Sequence, residues 1–385
     1  MPYKYKIGLI GPSRIGKTTI IASVMDDTQK KLLNGTPLSI GEIDDSTKSM
    51  LIRRRDEMLG AIAAGKFNPY HMKNTGEEYQ YQLGIHINNK DLIEFHISDY
   101  PGGWLESHDS NWNEKCGPWI NESSVLIIPV DAAIIMEAIT NDHRSAVPSL
   151  LHITQISDII TKWAKARKEA QIKNPDDCSM IIIAPIKTEM YFEDNGGKKD
   201  SSKPKKKEQL ENSLKSYYND IINVPSNEKL SHCSVWYCPI DTYGCIELKD
   251  AKWIKTKDNP THIYEFSANY MFRNHNNTIS RKGASDILLL LICHFINLVN
   301  SELSKSNLGL NGCIKSLEDK INNSNIIFRL FERVFGPLSK TKKILEELKI
   351  IKDLFLNNES DAKILIEVFK ELVTKKEYER AKQLN

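Results

Sequence analysis

The chain has 385 residues, 40% hydrophobic and 26% charged, an ordinary balance for a folded protein with room for two or three cores. Lys+Arg 52 against Asp+Glu 50 excludes a global basic field for nucleic acid or an anionic membrane, so no specific nucleic-acid partner is expected. No apolar leader follows Met1, no apolar run reaches the roughly 18 to 20 residues of a membrane span, and seven cysteines lack framework spacing, so a reducing, cytoplasmic setting is expected.

The first predicted element is a strand, Tyr5-Lys6-Ile7-Gly8-Leu9-Ile10, and an amphipathic helix from Thr18 to Met25 follows it closely. Between them stands Gly11-Pro12-Ser13-Arg14-Ile15-Gly16-Lys17-Thr18, a G-x-x-x-x-G-K-[ST] match in a strand, loop, helix context. Backbone N–H groups of such a loop wrap a β-phosphate, and the helix directs its positive end there. Gly11 through Thr19 are therefore the candidate phosphate-binding residues, with Lys17 bridging the β- and γ-phosphates and the Thr18 hydroxyl on a Mg²⁺ ion.

A helix is expected from about Thr47 to Ala64, capped by Asp45 or Ser46 and ended at Gly65-Lys66-Phe67-Asn68-Pro69. Alternation over 79–87 predicts an edge-type strand, and Asn88-Asn89-Lys90-Asp91 turns it back into Leu92–Ser98 as an antiparallel pair. That second strand runs into Asp99-Tyr100-Pro101-Gly102-Gly103. In P-loop NTPases an acidic residue closing the neighbouring strand holds the Mg²⁺, and a glycine three residues on lets its N–H reach the γ-phosphate; Asp99 and Gly102 have that spacing.

Val125–Val130, ending at Asp131, and Met180–Pro185 read as buried parallel strands. A single helix from Val147 to Gln171, with Pro148 in its first turn, is expected between them. After the second comes Ile186-Lys187-Thr188-Glu189. A lysine stem can cover one face of guanine while the carboxylate accepts from its ring N–H and amine. The usual Asn-Lys-x-Asp is altered here to Ile186 and Glu189, which weakens a guanine preference; an ordinary solvated loop is the alternative. Residues 196–210 read as a flexible basic insertion, 234–239 as the last strand, and Ala284–Ser304 as an apolar helix covering the sheet. Cys313–Phe335, Leu338–Leu356 and Asp361–Gln383 read as three further helices. Cys233, Cys238 and Cys245 lack the paired spacing of a zinc site, and His86 and His96 fall on strands as packing or edge residues.

With these motifs in this order, the first three hundred residues resemble TRAFAC-class P-loop GTPases, and more narrowly the bacterial double-GTPase families of NTP-dependent conflict and signalling systems. The fold expected is α/β, a P-loop NTPase with a mostly parallel sheet, one antiparallel edge strand and flanking helices over 1–304, followed by a C-terminal helical bundle over 305–385. The resemblance implies a threonine before the second strand that senses γ-phosphate and Mg²⁺; Thr75 is best placed, with Thr47 and Thr36 further from that strand. It also places the loop Asp241-Thr242 beside the base, contacting it through backbone. Ras-type GTPases carry a glutamine after the D-x-x-G glycine, where this chain has Gly103. Slow hydrolysis follows unless Arg14, Glu106, His108 or a partner's residue supplies the missing stabilisation.

The expected function is a Mg²⁺-dependent GTP/GDP switch that hydrolyses slowly and regulates a protein partner or a second GTPase subunit, with a homodimer among the options. Output would pass through the segment holding Trp104, Trp112 and Trp119, or through the C-terminal helices. An ATPase subunit in which Lys187 and Glu189 read no base, and a scaffold that binds nucleotide without hydrolysis, are the competing readings.

Overall fold

In the computed structural model the described residues are 3–13, 15–34, 38–63, 79–87, 90–101, 112–173, 175, 177–194, 203–256, 264–273, 279–304 and 378–385. Five runs rich in apolar residues build the centre: β1 (Tyr3–Leu9), β4 (Lys90–Asp99), β5 (Val125–Asp131), β6 (Ser179–Ile186) and β7 (Cys233–Tyr237). They lie parallel in the order β7-β6-β5-β1-β4. β5 and β6 are buried along their whole length, which is why their sequences are continuous apolar runs without alternation.

Beyond β4 the sheet turns antiparallel, through β3 (Tyr79–Ile87) and then β2 (Leu38–Glu42) at the edge. At the opposite edge β10 (Lys382–Gln383) runs antiparallel to β7 and completes an eight-stranded mixed sheet. The single antiparallel edge strand expected from the sequence is therefore corrected: the 79–87 strand is interior, and both edges are antiparallel. β10, of two residues, cannot carry a period-two signal, and β2 alternates buried with exposed only over Leu38-Ser39-Ile40, so both owe their form to their partners. The architecture is α/β, mostly parallel and flanked by helices, compatible with a Rossmann-like or P-loop fold.

The helices are α1 (Lys17–Asp27), continued by a π-helical turn Thr28–Leu32, then α2 (Asp45–Ala63), α3 (Gly117–Glu122), α4 (Ala132–Met136), α5 (Asn141–Leu150), α6 (Ile153–Lys173), α7 (Lys203–Tyr217), α8 (Asn219–Asn227) and α9 (Ala284–Ser304). The carboxylate at the start of α2 that takes the capping bonds is Asp44, one residue before the expected pair: it accepts from Thr47 N at 2.8 Å and Thr47 Oγ1 at 2.6 Å. The single helix expected over 147–171 is two. Thr140 caps α5 by accepting from His143 N at 3.2 Å, so Pro148 falls late in that helix, and His152, at φ 52°, breaks the chain before α6. From Lys203 onward the basic run expected as a flexible insertion is the start of α7.

α9 lays Ile287, Leu288, Leu291, Ile292 and Phe295 into the core, where Tyr5 of β1 meets Phe95 and Phe295 edge-on at 5.7 and 6.1 Å. A separate two-stranded ribbon, β8 (Ile246–Lys255) with β9 (Tyr264–Phe272), follows β7 and was not marked in the sequence. Trp253 anchors it, donating Nε1–H to the Glu137 carbonyl at 3.0 Å and stacking on His143. The C-terminal helices expected over 313–383 lie outside the described residues except at their end, where extended β10 replaces the helix read through Gln383. Among the described residues no helix is long and apolar enough to cross a membrane.

Candidate functional site

The loop from Gly11 to Gly16 leaves the carboxyl end of β1 and enters α1, at the end of the sheet where β4, β5 and β6 also finish. Gly16 caps α1 in a left-handed conformation (φ 102°) and, as a glycine, brings no side chain to the first-turn amides. A Cβ at Gly16 would stand 2.8 Å from Ile186 Cδ1, so only glycine fits both the backbone and the approach of β6. Ile186, where a guanine-reading loop usually carries asparagine, thus packs against the 11–16 loop.

Lys17 is buried and its Nζ donates to the carbonyls of Gly11 at 3.0 Å and Pro12 at 3.2 Å, curling over the loop. The same ammonium is 3.7 Å from Asp99 Oδ1. Burial pulls the Lys17 pKa down, opposed by attraction to Asp99; burial pushes the Asp99 carboxyl up, opposed by Lys17 and by the hydroxyl of Thr18. Thr18 Oγ1 donates to Asp99 Oδ2 at 3.3 Å and accepts from the Tyr81 hydroxyl at 3.2 Å. Among the described residues, buried Asp99 Oδ1 faces the Lys17 ammonium at 3.7 Å, beyond hydrogen-bond reach, and accepts no hydrogen bond. A hydroxyl and a carboxylate, both hard oxygen donors, therefore meet beside a buried ammonium, and one carboxylate oxygen retains its acceptor capacity. This donor set fits Mg²⁺, with Thr18 and Asp99 as the residues that would hold it.

A second group of loops follows β6 and β7. Lys187, at φ 59°, pairs through Nζ with Asp131 Oδ2, while Asp131 Oδ1 caps α4 by accepting from Ala133 N at 2.9 Å. Its ammonium is 5.6 Å from the ring centre of Tyr270 on β9. Glu189 is buried, and its Oε1 accepts from Tyr243 N at 2.9 Å, Gly244 N at 3.1 Å and Thr242 Oγ1 at 3.3 Å. Burial and the nearby Asp241 push its pKa up, against the pull of those amides. The solvated loop considered as the alternative for 186–189 is thus not what forms: Ile186, Thr188 and Glu189 are all buried.

Asp241 is fully buried and takes Thr188 Oγ1 at 2.9 Å and both terminal nitrogens of Arg380, at 2.8 and 2.9 Å. Thr242 accepts through its carbonyl from Ser23 Oγ at 3.2 Å and Arg281 Nε at 2.7 Å. The loop after β7 is therefore fastened to α1. A cleft beside Thr19, between α1 and α2, is lined by Met25, Arg54, Met58, Tyr243 and Arg281.

The structure thus gathers Gly11, Pro12, Ser13, Ile15, Gly16, Lys17, Thr18 and Asp99 in one place, and Lys187, Glu189, Asp241 and Thr242 in an adjoining one, with Thr19 and Tyr243 lining one cleft beside α1. Arg14, Thr75, Gly102, Gly103, Trp104, Glu106 and His108 lie outside the described residues. Trp119 packs inward, donating Nε1–H to the Ile7 carbonyl at 3.3 Å under the Lys6 ammonium. Sequence reasoning missed Tyr81, Asp131, Tyr270, Arg281 and Arg380. Only Asp131 carried a signal, as the acid that closes an apolar run in the manner of Asp99. No protein-family model matches the chain, and no curated protein matches it significantly.

Proposed function

We propose that this chain is a P-loop nucleotide-binding protein acting as a Mg²⁺-dependent GTP/GDP switch with slow intrinsic hydrolysis, its output directed to a protein partner. The observation that carries this reading is the meeting of Lys17, Thr18 and Asp99: the Thr18 hydroxyl is 3.3 Å from one carboxylate oxygen, and the other is 3.7 Å from the Lys17 ammonium. Lys17 and Thr18 open α1, just beyond the loop that leaves β1, and Asp99 closes the adjacent parallel strand β4, 81 residues after Thr18, as phosphate and cation binding requires. Lys17 would exchange the carbonyls of Gly11 and Pro12 for β- and γ-phosphate oxygens, and Mg²⁺ would neutralise charge on the triphosphate there. Gly102 and Thr75 would order their loops around the γ-phosphate. Arg14 or a partner's arginine would take the stabilising role for which Gly103 has no side chain; such a group is worth about 10³ to 10⁵ in rate.

A specific observation favours the second reading, a P-loop ATPase indifferent to guanine. Glu189 Oε1 is already engaged by Tyr243, Gly244 and Thr242, and Ile186 brings no amide to the loop. Binding of fluorescent GDP, GTP, ADP and ATP analogues, to wild type and Glu189→Ala, separates the two. Guanine preference that disappears in the variant supports the switch with a base-reading loop. Equal or tighter adenine binding replaces it with the ATPase.

A further inference from the structure

Residues 378–385 return to the core far from where sequence proximity would put them. Asp286 near the start of α9 accepts from Glu379 N at 3.0 Å, Arg380 N at 2.8 Å and Ala381 N at 2.9 Å. β10 then pairs with β7, and Asn385 closes the segment by accepting from Val235 N at 2.8 Å and donating to the Cys233 carbonyl at 3.0 Å. This fastening delivers one side chain, Arg380, between the two base-side loops.

Every nitrogen of that guanidinium is engaged. Nε bonds Asp194 Oδ2 at 2.9 Å and Nη2 bonds Asp194 Oδ1; Nη1 and Nη2 form a fork on Asp241; Nη1 also reaches Thr188 Oγ1 at 3.0 Å. Its face covers the Phe192 ring at 4.1 Å. Asp241 and the Arg380 side chain are 0% and 1% exposed, so each depends on the other to offset the loss of water around its charge. Thr188 directly precedes Glu189, and Asp241 directly precedes the Thr242, Tyr243 and Gly244 donors that grip Glu189 Oε1. Thr242 in turn accepts through its carbonyl from Ser23 Oγ of α1, the helix that follows the 11–16 loop, at 3.2 Å. A planar fork sets the spacing of both loops, which a lysine's single point charge cannot do.

We infer that Arg380 is a positioning residue of the nucleotide site: segment 378–385 clamps the loops at 187–194 and 240–244 in one arrangement, and base-dependent affinity rests on that clamp. This deepens the function proposed above and rests on it. The test uses the full chain with Arg380→Met, Arg380→Lys and Asp241→Asn, and compares a fluorescent GTP analogue with inorganic tripolyphosphate, a probe with phosphates and no base, both with Mg²⁺. Each variant is expected to weaken nucleotide binding about tenfold or more, with tripolyphosphate held within about twofold. Unchanged nucleotide affinity, or an equal loss for both probes, overturns the inference. Should Arg380→Met fail to fold, Arg380→Lys, which keeps the buried charge, carries the comparison. If wild type binds neither probe, the proposed function fails separately and amide hydrogen exchange decides the clamp. Faster exchange at 187–194 and 240–244 in Arg380→Lys, with β1 and β4 unchanged, upholds it, and unchanged exchange in the loops overturns it.

Discussion

Lys17 and Asp99 are buried groups of opposite charge, each disfavoured by burial and each sustained by the other. Such a pair is a weak source of stability and a strong source of position. Replacing Lys17 with alanine is expected to weaken triphosphate binding about tenfold to a hundredfold, the scale of one lost charge-assisted contact, and titration calorimetry checks it. Gly16→Ala acts through the backbone. Its φ of 102° is a left-handed conformation that costs about 1–2 kcal/mol in an L-residue, and Ile186 adds a 2.8 Å contact. A urea midpoint equal to wild type would contradict that expectation. The meeting of Lys17, Thr18 and Asp99 was legible in the sequence because short spacings place them close after β1 and at the end of β4. Tyr81 and Arg380 were not: the first reaches Thr18 only through the pairing of β3 with β4, the second through a return of the chain that no local pattern announces.

At the scale of elements, the long apolar runs, the 79–99 hairpin and α9 were legible because burial forces a composition that can be seen in one strand or helix. β2, β8, β9 and β10 were not, since half-exposed or very short strands depend on partners for their form. α9 carries a further consequence in its contact with β1. The Tyr5 hydroxyl and His294 Nδ1 share a hydrogen bond in the core, and burial, with Arg167 nearby, pulls the His294 pKa from 6.5 to about 3. The unfolded imidazole takes up a proton below pH 6.5 that the folded one refuses until about pH 3. Stability contributed here is complete above that window and falls as pH falls through it, by up to about 1.4 kcal/mol per unit. Urea midpoints measured across the window should show this slope in wild type and a flatter one in His294→Phe. Equal slopes would remove His294 from the explanation.

For the whole molecule, one eight-stranded sheet joins the 11–16 loop near its middle to segment 378–385 at its edge. Removing residues 378–385 would bare the edge of β7, leave Asp241 without Arg380 and deprive Asp286 of three amide donors. A loss of about 3–5 kcal/mol is expected, as for other buried pairs broken from one side, and would appear as a lower urea midpoint. A midpoint equal to that of the full chain would mean the segment only lies on the surface. The central claim, however, concerns the meeting of Thr18, Asp99 and Lys17. It is tested most directly by titrating wild type and Asp99→Asn with GTP in Mg²⁺ and again with the metal chelated. Wild-type affinity should fall at least about tenfold on chelation, while the variant binds weakly in both conditions. Wild-type binding that is indifferent to Mg²⁺, or an Asp99→Asn variant as metal-dependent as wild type, would contradict the account.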